Sequence, residues 1–327
     1  MLTYIIRRLI RMIPTLIAIS MMVFVIIQLP PGDFFDSLQA QLAESDSQAD
    51  QEVFEALRRQ YNLDKPMWQQ YIYWITGCLQ GDFGYSFEWR RPVSELIAER
   101  LGLTFLMASG ALIFMWLIAL PIGIYSARNR YSFGDYFWTF MAFIGLCVPG
   151  FIIALMAMYI SVFWFGGSAG GLFSPEFKYA SWSLAKVWDL LNHLWVPVVV
   201  IGAAGTAGLM RIMRTSMLDV LDEQYITTAR AKGLAERWVI YKYAVRVAIN
   251  PMISILGLQL PQLVSGSIIV AIVLGLPTTG PLFFRALETQ DMYLAGTFLM
   301  LLAILLLLGN LVADILLAWA DPRIRLE

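Results

Sequence analysis

The side chains able to do covalent or metal chemistry are few and lie far apart along the chain. The single histidine, His193, cannot build a histidine-based metal or catalytic cluster alone, and Cys78 and Cys147 stand in no metal-type spacing. Asp314 is the clearest ionisable residue inside an apolar run. An intramembrane enzyme would need a cluster of acids and histidines or an activated nucleophile. The sequence therefore argues against an enzyme and predicts no metal and no cofactor held by this chain.

The most informative pattern is a polar segment at residues 214–251, which lies between two apolar runs. Residues 225–232 are typical of a short helix, with Asp222 and Glu223 near its start, where acids suit the helix dipole. Gly233 stands where a helix end needs a left-handed residue. A second helix is predicted at 235–249, ending before the Asn250-Pro251 pair because the residue before proline resists the α conformation. The residues alone leave two interpretations open: a rigid knob that transmits force from a soluble partner, or a connecting loop.

A second candidate set is polar and lies within the apolar run that follows this segment. Its spacing is expected to direct some of these groups towards an aqueous path, although hydrogen bonds between helices are the alternative. The members are Gln259, Gln262, Ser265 and Ser267.

Composition places these elements in lipid. Of the 327 residues, 59% are hydrophobic and only 14% are charged, whereas soluble domains carry about 25% charged residues. The net charge of −1 gives no support for a nucleic-acid partner. Because a bilayer core needs about 20 apolar residues per helix, the sequence predicts an all-α, polytopic membrane protein. The six predicted transmembrane helices are 9–29, 101–127, 136–165, 194–213, 252–276 and 293–320.

The distribution of Lys and Arg predicts the orientation of these spans. Basic residues cluster before the first span, after the second and fourth, and after the last, which places both termini in the cytoplasm. Residues 30–100 hold twelve acidic and six basic residues and are predicted to form an external segment. The resulting domains are a first helix at 1–29, this external segment, a five-helix core at 101–320 that includes the cytoplasmic loop 214–251, and a cytoplasmic tail at 321–327.

The external segment is long enough to carry structure of its own. A helix is predicted at 51–61, polar with one apolar face. Aromatic residues follow it, and they favour the membrane interface, although contact with an external partner stays open. These aromatic residues are Trp68, Tyr71, Tyr73 and Trp74.

Several motifs in order along the chain resemble the permease subunits of binding-protein-dependent ABC importers, in their dipeptide, oligopeptide and nickel branch. The resemblance covers nearly the whole chain. It rests on Tyr4-Ile5-Ile6-Arg7-Arg8-Leu9, Pro31-Gly32-Asp33, Tyr61-Asn62-Leu63-Asp64-Lys65-Pro66, Gly81-Asp82-Phe83-Gly84-Tyr85-Ser86, Asp222-Glu223-Gln224-Tyr225, Thr228-Ala229-Arg230-Ala231-Lys232-Gly233-Leu234 and Asp321-Pro322-Arg323-Ile324-Arg325.

The resemblance implies a type I ABC-importer permease fold in a bacterial inner membrane. It also implies a second homologous permease, two ATP-binding-cassette ATPases and an external solute-binding protein as partners. The chain has no Gly-x-x-x-x-Gly-Lys-[Ser/Thr] phosphate loop, so ATP and Mg²⁺ are expected on the ATPases. The residues implied in ATPase coupling are Asp222, Glu223, Tyr225, Thr228, Ala229, Arg230, Ala231, Lys232, Gly233 and Leu234.

The sequence also departs from the family pattern. Thr227, Thr228 and Ala229 stand where the general importer loop has Glu-Ala-Ala, and Val245-Arg246 replaces its Leu-Pro pair. The stretch after the fifth span also differs from the peptide branch. The expected cargo is a peptide, with oligosaccharides or nickel chelates as alternatives on the same architecture. A secondary transporter fits badly because no inverted repeat and no midplane acid is present.

Overall fold

The computed structural model describes residues 2–29, 65–165 and 170–320. The helix predicted at 51–61, residues 30–64 of the predicted external segment and the predicted tail at 321–327 lie outside these residues. The chain divides into two compact units. The first unit comprises Met1–Ile5, Leu103–Gly280 and Leu305–Glu327, and the second comprises Ile6–Gly102 and Pro281–Ile304.

The described chain is almost entirely helical, as the sequence predicts, with one short antiparallel strand pair. The α-helices are α1 (Leu2–Gln28), α2 (Met67–Gln80), α3 (Val93–Arg128), α4 (Phe133–Cys147), α5 (Gly150–Phe165), α6 (Leu184–Leu221), α7 (Gln224–Ala231), α8 (Glu236–Trp238), α9 (Val245–Ala248), α10 (Asn250–Ser254), α11 (Leu256–Gly266), α12 (Ile268–Val273), α13 (Thr279–Glu288) and α14 (Met292–Ala320). A π-helical segment, Val239–Ala244, joins α8 to α9. The strands are β1 (Tyr85–Ser86) and β2 (Arg91–Pro92).

Within the described residues, five helices are long and apolar enough to cross a membrane. They lie in α1, α3, α6, α11–α12 and α14. The third predicted span, 136–165, is wrong as a continuous helix, because α4 and α5 are bent by 103° at the break between them. The number of spans is six if this bent pair counts as one. Proline explains the break: Val148 takes an extended conformation immediately before Pro149.

Two other predicted boundaries also differ. Helix α6 begins ten residues before the predicted fourth span at 194–213 and extends beyond its end. The second helix of the polar segment, predicted at 235–249, is instead built from α8, the π-helical segment and α9. The Asn250-Pro251 pair does not stop the helical path, because Pro251 lies in the first turn of α10, where no intrahelical N–H donor is required.

In the first unit, α6 is the central element, and α4, α5, α9 and α10 pack against it. Close approach of α11 to the second half of α14 depends on two glycines, Gly257 and Gly309. A Cβ on Gly309 would lie 2.8 Å from the carbonyl oxygen of Gly257, a distance that no side chain tolerates. Small residues at such crossings allow helix backbones to pack closely in a membrane, where van der Waals contact replaces the hydrophobic driving force.

In the second unit, α2 packs on α1 through part of the predicted aromatic set. Trp74 is buried against Phe24 with their ring centroids 5.7 Å apart, and the Tyr71 hydroxyl lies 2.8 Å from the hydroxyl of Ser20. Trp68 and Tyr73 remain exposed, at 62% and 52%. Packing therefore accounts for two of the four aromatic residues, and the other two are available to an interface.

In this second unit the buried carboxylate of Asp291, at the start of α14, forms a hydrogen bond with the strand pair. The Ser86 hydroxyl donates to the carboxylate of Asp291 at 2.5 Å, and the backbone N–H of Leu294 donates to the same side chain at 3.3 Å. Both Ser86 and Asp291 are fully buried. Burial raises the pKa of Asp291, and its hydrogen bonds oppose this effect.

The Asp291 carboxyl is expected to make this contact pH-dependent. Because its pKa is raised in the folded chain, the contact is most stable below the unfolded pKa and loses stability as pH rises through the folded pKa. The measurement is hydrogen exchange at the Val93 amide, which donates to Gly84 O at 3.0 Å. Asp291→Asn is expected to remove the pH dependence of the opening free energy, while Glu88→Gln, at a half-buried residue that pairs with Arg285, retains it. Identical pH profiles for wild type and Asp291→Asn would contradict this assignment.

Candidate functional site

The segment between α6 and α10, residues 222–249, is termed the inter-span segment. Helix α7 opens it, with Glu223 in the extended conformation of an N-cap residue. Its other end is a Schellman motif. The Gly233 N–H donates to Arg230 O at 2.9 Å, and the Leu234 N–H donates to Ala229 O at 3.4 Å. Gly233 has a φ of +74°, so the predicted left-handed residue at the helix end is confirmed.

One face of α7 is buried within the inter-span segment. Ile226 is fully buried and Ala229 is 5% exposed. Helix α7 contacts the π-helical segment, whose Val239 and Ile240 are also buried. The small Ala229 side chain therefore permits close packing inside this chain, whereas the family resemblance implied a contact between Ala229 and a partner. The buried face makes α7 a supported element rather than a free loop.

The opposite face of the inter-span segment is exposed and carries most of the predicted coupling residues. It carries charged, polar and apolar side chains. The exposed predicted residues are Asp222, Glu223, Tyr225, Thr228, Arg230, Ala231, Lys232, Gly233 and Leu234.

Sequence reasoning missed two large aromatic residues on the inter-span segment. Trp238 is 53% exposed and Tyr241 is 63% exposed. With Tyr225 and Leu234, at 40% and 39%, they make this surface substantially apolar. The sequence signal that could have identified them is the presence of aromatic residues in a segment otherwise rich in charge. An exposed apolar surface bordered by charge is typical of a protein–protein contact.

An ion pair bridges the two sides of Gly233. The Arg230 guanidinium donates to both carboxylate oxygens of Glu236, at 2.8 and 3.3 Å. The hydrogen bond from Arg230 lowers the pKa of Glu236, and the same bond raises the pKa of Arg230. Arg230 is thus engaged within the chain, while Lys232 remains exposed with no such partner among the described residues.

Glu236→Gln is expected to loosen the inter-span segment slightly. Both side chains of the pair are nearly half exposed, at 43% and 45%, so the loss is about 0.5 kcal/mol. Because the pKa of Glu236 is lowered, its contribution is present above the ordinary carboxyl pKa and is lost as pH falls through the lowered value. Hydrogen exchange at the Gly233 and Leu234 amides measures the change. If the exchange rates of wild type and variant depended equally on pH, the Arg230–Glu236 pair would not be the cause of that pH dependence.

The four predicted path residues are not on one face. Gln259 is buried and accepts a hydrogen bond from the indole N–H of Trp116 at 3.0 Å, and Ser267 is half-buried. Gln262 and Ser265 are exposed and one helical turn apart on α11. Only these last two residues share the exposed face of α11, so a path along that face remains a prediction for Gln262 and Ser265 alone.

These features define a polytopic helical membrane protein that presents a folded, exposed segment between two spans. A family profile described as "Binding-protein-dependent transport system inner membrane component" matches residues 119–326. A second profile, for the N-terminal part of such membrane components, matches residues 1–108. The chain therefore belongs to the family of inner membrane components of binding-protein-dependent transport systems. It is a transporter permease subunit and not a catalytic enzyme, and its ABC-importer resemblance is confirmed.

Similar proteins of nearly equal length carry related names. The chain is 38% identical over 328 residues to the oligopeptide transport system permease protein AppB of Bacillus subtilis (strain 168), covering 99% of each chain. It is 35% identical over 325 residues to the glutathione transport system permease protein GsiC of Salmonella typhimurium, again covering 99% of each. The fold is similar to that of a chain of the MetNI methionine ABC transporter in inward-facing conformations, with a TM-score of 0.53 and 16% identity. That match covers 69% of this chain and 96% of the other, and supports the type I permease fold.

Proposed function

We propose that the chain forms half of a translocation pathway for peptides and works by alternating access driven by ATP hydrolysis on partner subunits. The cargo is inferred from relatives whose names specify oligopeptides and glutathione, itself a short peptide. The two relatives share 99% coverage with this chain, so the likeness includes the elements before α3 as well as the helical core.

The observation that carries the proposal is the exposed inter-span segment. Buried Ile226 and Ala229 support it, and the Schellman motif at Gly233 ends its first helix. It is continuous with the span α6 on one side and, through α10, with the span α11–α12 on the other. A rigid element of this kind transmits displacement, whereas a loop without packing would absorb it. Its exposed Tyr225, Leu234 and Trp238 suit insertion into a groove on an ATPase subunit.

The proposed assembly contains this permease, a second homologous permease, two ATP-binding-cassette ATPases and an external solute-binding protein. ATP and Mg²⁺ would be held by the ATPases. In this assembly both termini and the inter-span segment would lie in the cytoplasm. The five basic and three acidic residues of the segment support its cytoplasmic side. The coupling residues are those on its exposed face, with Gly233 setting its shape.

Reconstitution tests this function. The purified assembly in liposomes, with ATP on the ATPase side and binding protein on the other, is expected to accumulate a radiolabelled tripeptide. Accumulation without ATPases, or failure of any ATPase to bind the permease pair, would overturn the mechanism. Extraction of the cognate binding protein identifies the cargo: a bound oligosaccharide or nickel chelate would replace the peptide assignment and leave the mechanism intact.

A further inference from the structure

A cavity whose mainly apolar wall carries four polar or charged side chains lies on the exposed side of α6, within the first unit. Its volume is about 540 Å³. Six of its lining residues come from α6, and Leu146 and Pro251 contribute from α4 and α10. The α6 residues are Gly208, Arg211, Ile212, Thr215, Ser216 and Asp219. The cavity belongs to the same pair of elements, α6 and α10, that flank the inter-span segment.

The two charged residues of the cavity have opposite signs and both lie on α6. Arg211 and Asp219 are eight residues apart on one helix, which separates their Cα atoms by about 12 Å at a 1.5 Å rise per residue. Neither takes part in an ion pair with another of the described residues. A guanidinium beside an apolar span is costly to leave without a counter-charge, and such residues face cavities or paths in membrane proteins.

Hydroxyl groups occupy the interval between the two charges. Thr215 and Ser216 lie one turn after Arg211 and one turn before Asp219, and both line the cavity. Neither hydroxyl has a hydrogen-bond partner in the ranges that the structure describes. Each can donate to a carbonyl oxygen or accept from an N–H. The order along the cavity is therefore cation, hydroxyls, anion.

We infer that this cavity binds a short zwitterionic peptide during transit, with the terminal carboxylate on Arg211 and the terminal ammonium near Asp219. The inference rests on the proposed function and specifies the cargo chemistry. A guanidinium matches a carboxylate through two parallel hydrogen bonds. A separation of about 12 Å corresponds to three or four extended residues at about 3.3–3.6 Å each. The hydroxyls of Thr215 and Ser216 form hydrogen bonds with the peptide backbone, which is common to all sequences. The site therefore selects peptides by their charged termini and their length rather than by their side chains.

Photo-crosslinking in the reconstituted assembly tests this site. A photoreactive phenylalanine analogue replaces Leu146, which lines the cavity and is half exposed. Three radiolabelled tetra-alanine probes are compared without binding protein: the free peptide, its C-terminal amide and its N-acetyl form. The free peptide is expected to label at least about tenfold more strongly than either blocked form, a difference equivalent to about 1.4 kcal/mol.

Charge variants assign the two ends. Arg211→Gln is expected to reduce labelling by the free peptide to the level of the amide and to leave the amide unchanged. Asp219→Asn is expected to remove discrimination against the N-acetyl form only. Arg211→Lys retains partial preference for the carboxylate. The matched control is Arg130→Gln, which removes an exposed cation from a turn outside the cavity and is expected to change none of these ratios.

Each other outcome overturns the inference. Equal labelling by the free and amidated peptides would show that Arg211 does not bind the terminal carboxylate. Absence of labelling by the free peptide would show that the cavity does not bind peptide. A crosslink from position 146 to the second permease, insensitive to peptide, shows that this face is a subunit interface. ATP-driven uptake by the unsubstituted assembly is measured in parallel: if it persists, only the transit site fails, and if it is absent, the proposed function fails.

Discussion

Gly233→Val is expected to reduce ATP-driven uptake by roughly tenfold or more while the assembly still forms in the membrane. Gly233 has a φ of +74° and ends α7. A β-branched residue is a genuine outlier there, and a non-glycine residue in such a conformation costs about 1–3 kcal/mol. Nothing lies within 4 Å of the added Cβ. The strain is therefore in the backbone, and relief of that strain changes the angle between α7 and α8.

Two variants separate this backbone effect from added bulk. Gly233→Asn retains much of the uptake, since asparagine adopts the left-handed conformation more readily than valine. Gly102→Val also adds a β-branched side chain in open space, but in helix α3 with no positive φ. It is expected to leave uptake near that of wild type. The measurements are tripeptide uptake and ATPase activity of the same preparation. Normal uptake by Gly233→Val would remove the role assigned to this glycine.

Local signals explain why α7 and its end could be predicted from the sequence. An acid before a short polar helix and a glycine after it determine the ends of the helix through contacts that span only a few residues. In the structure Glu223 is the N-cap residue and Gly233 has the left-handed conformation. Five of the apolar spans were predictable for a similar reason, because span length follows from bilayer thickness. The boundaries were less predictable: α3 begins at Val93, eight residues before the predicted span, since polar residues of its first turns still form helix.

The errors have a local cause at one proline and non-local causes elsewhere. The apolar run from α4 into α5 looks continuous, and hydropathy does not register the 103° bend at Val148-Pro149. The spacing of apolar residues did not indicate that the second helix of the inter-span segment contains a π-helical turn. The orientation of Gln259 towards Trp116 also depends on a residue 143 positions away. Such contacts are set by the fold, so a list of polar residues on a span does not identify its exposed face.

Asp135→Asn is expected to destabilise the first unit by about 2–3 kcal/mol. The Arg214 guanidinium donates two hydrogen bonds to the Asp135 carboxylate, each 2.9 Å long, and thereby joins α4 to α6. The carboxylate side chain is 3% exposed and the guanidinium side chain 26%. Removing one member of a buried pair costs about 3–5 kcal/mol, and the partial exposure of Arg214 reduces this figure because water can solvate the remaining charge.

A double-mutant cycle distinguishes the pair from its other contacts. Asparagine can still accept the hydrogen bond that the Tyr131 N–H donates to Asp135 at 3.0 Å, so the single variant removes mainly the charge. Arg214→Gln alone is expected to cost a similar amount, because it leaves the buried carboxylate without its counter-charge. The double variant should then be less destabilised than the sum of the two, with a coupling of about 1–3 kcal/mol. The measurement is the unfolding free energy of the purified permease in mixed micelles. Strict additivity would show that the two side chains act independently, and α4 would then depend on apolar contacts with α6 rather than on this ion pair.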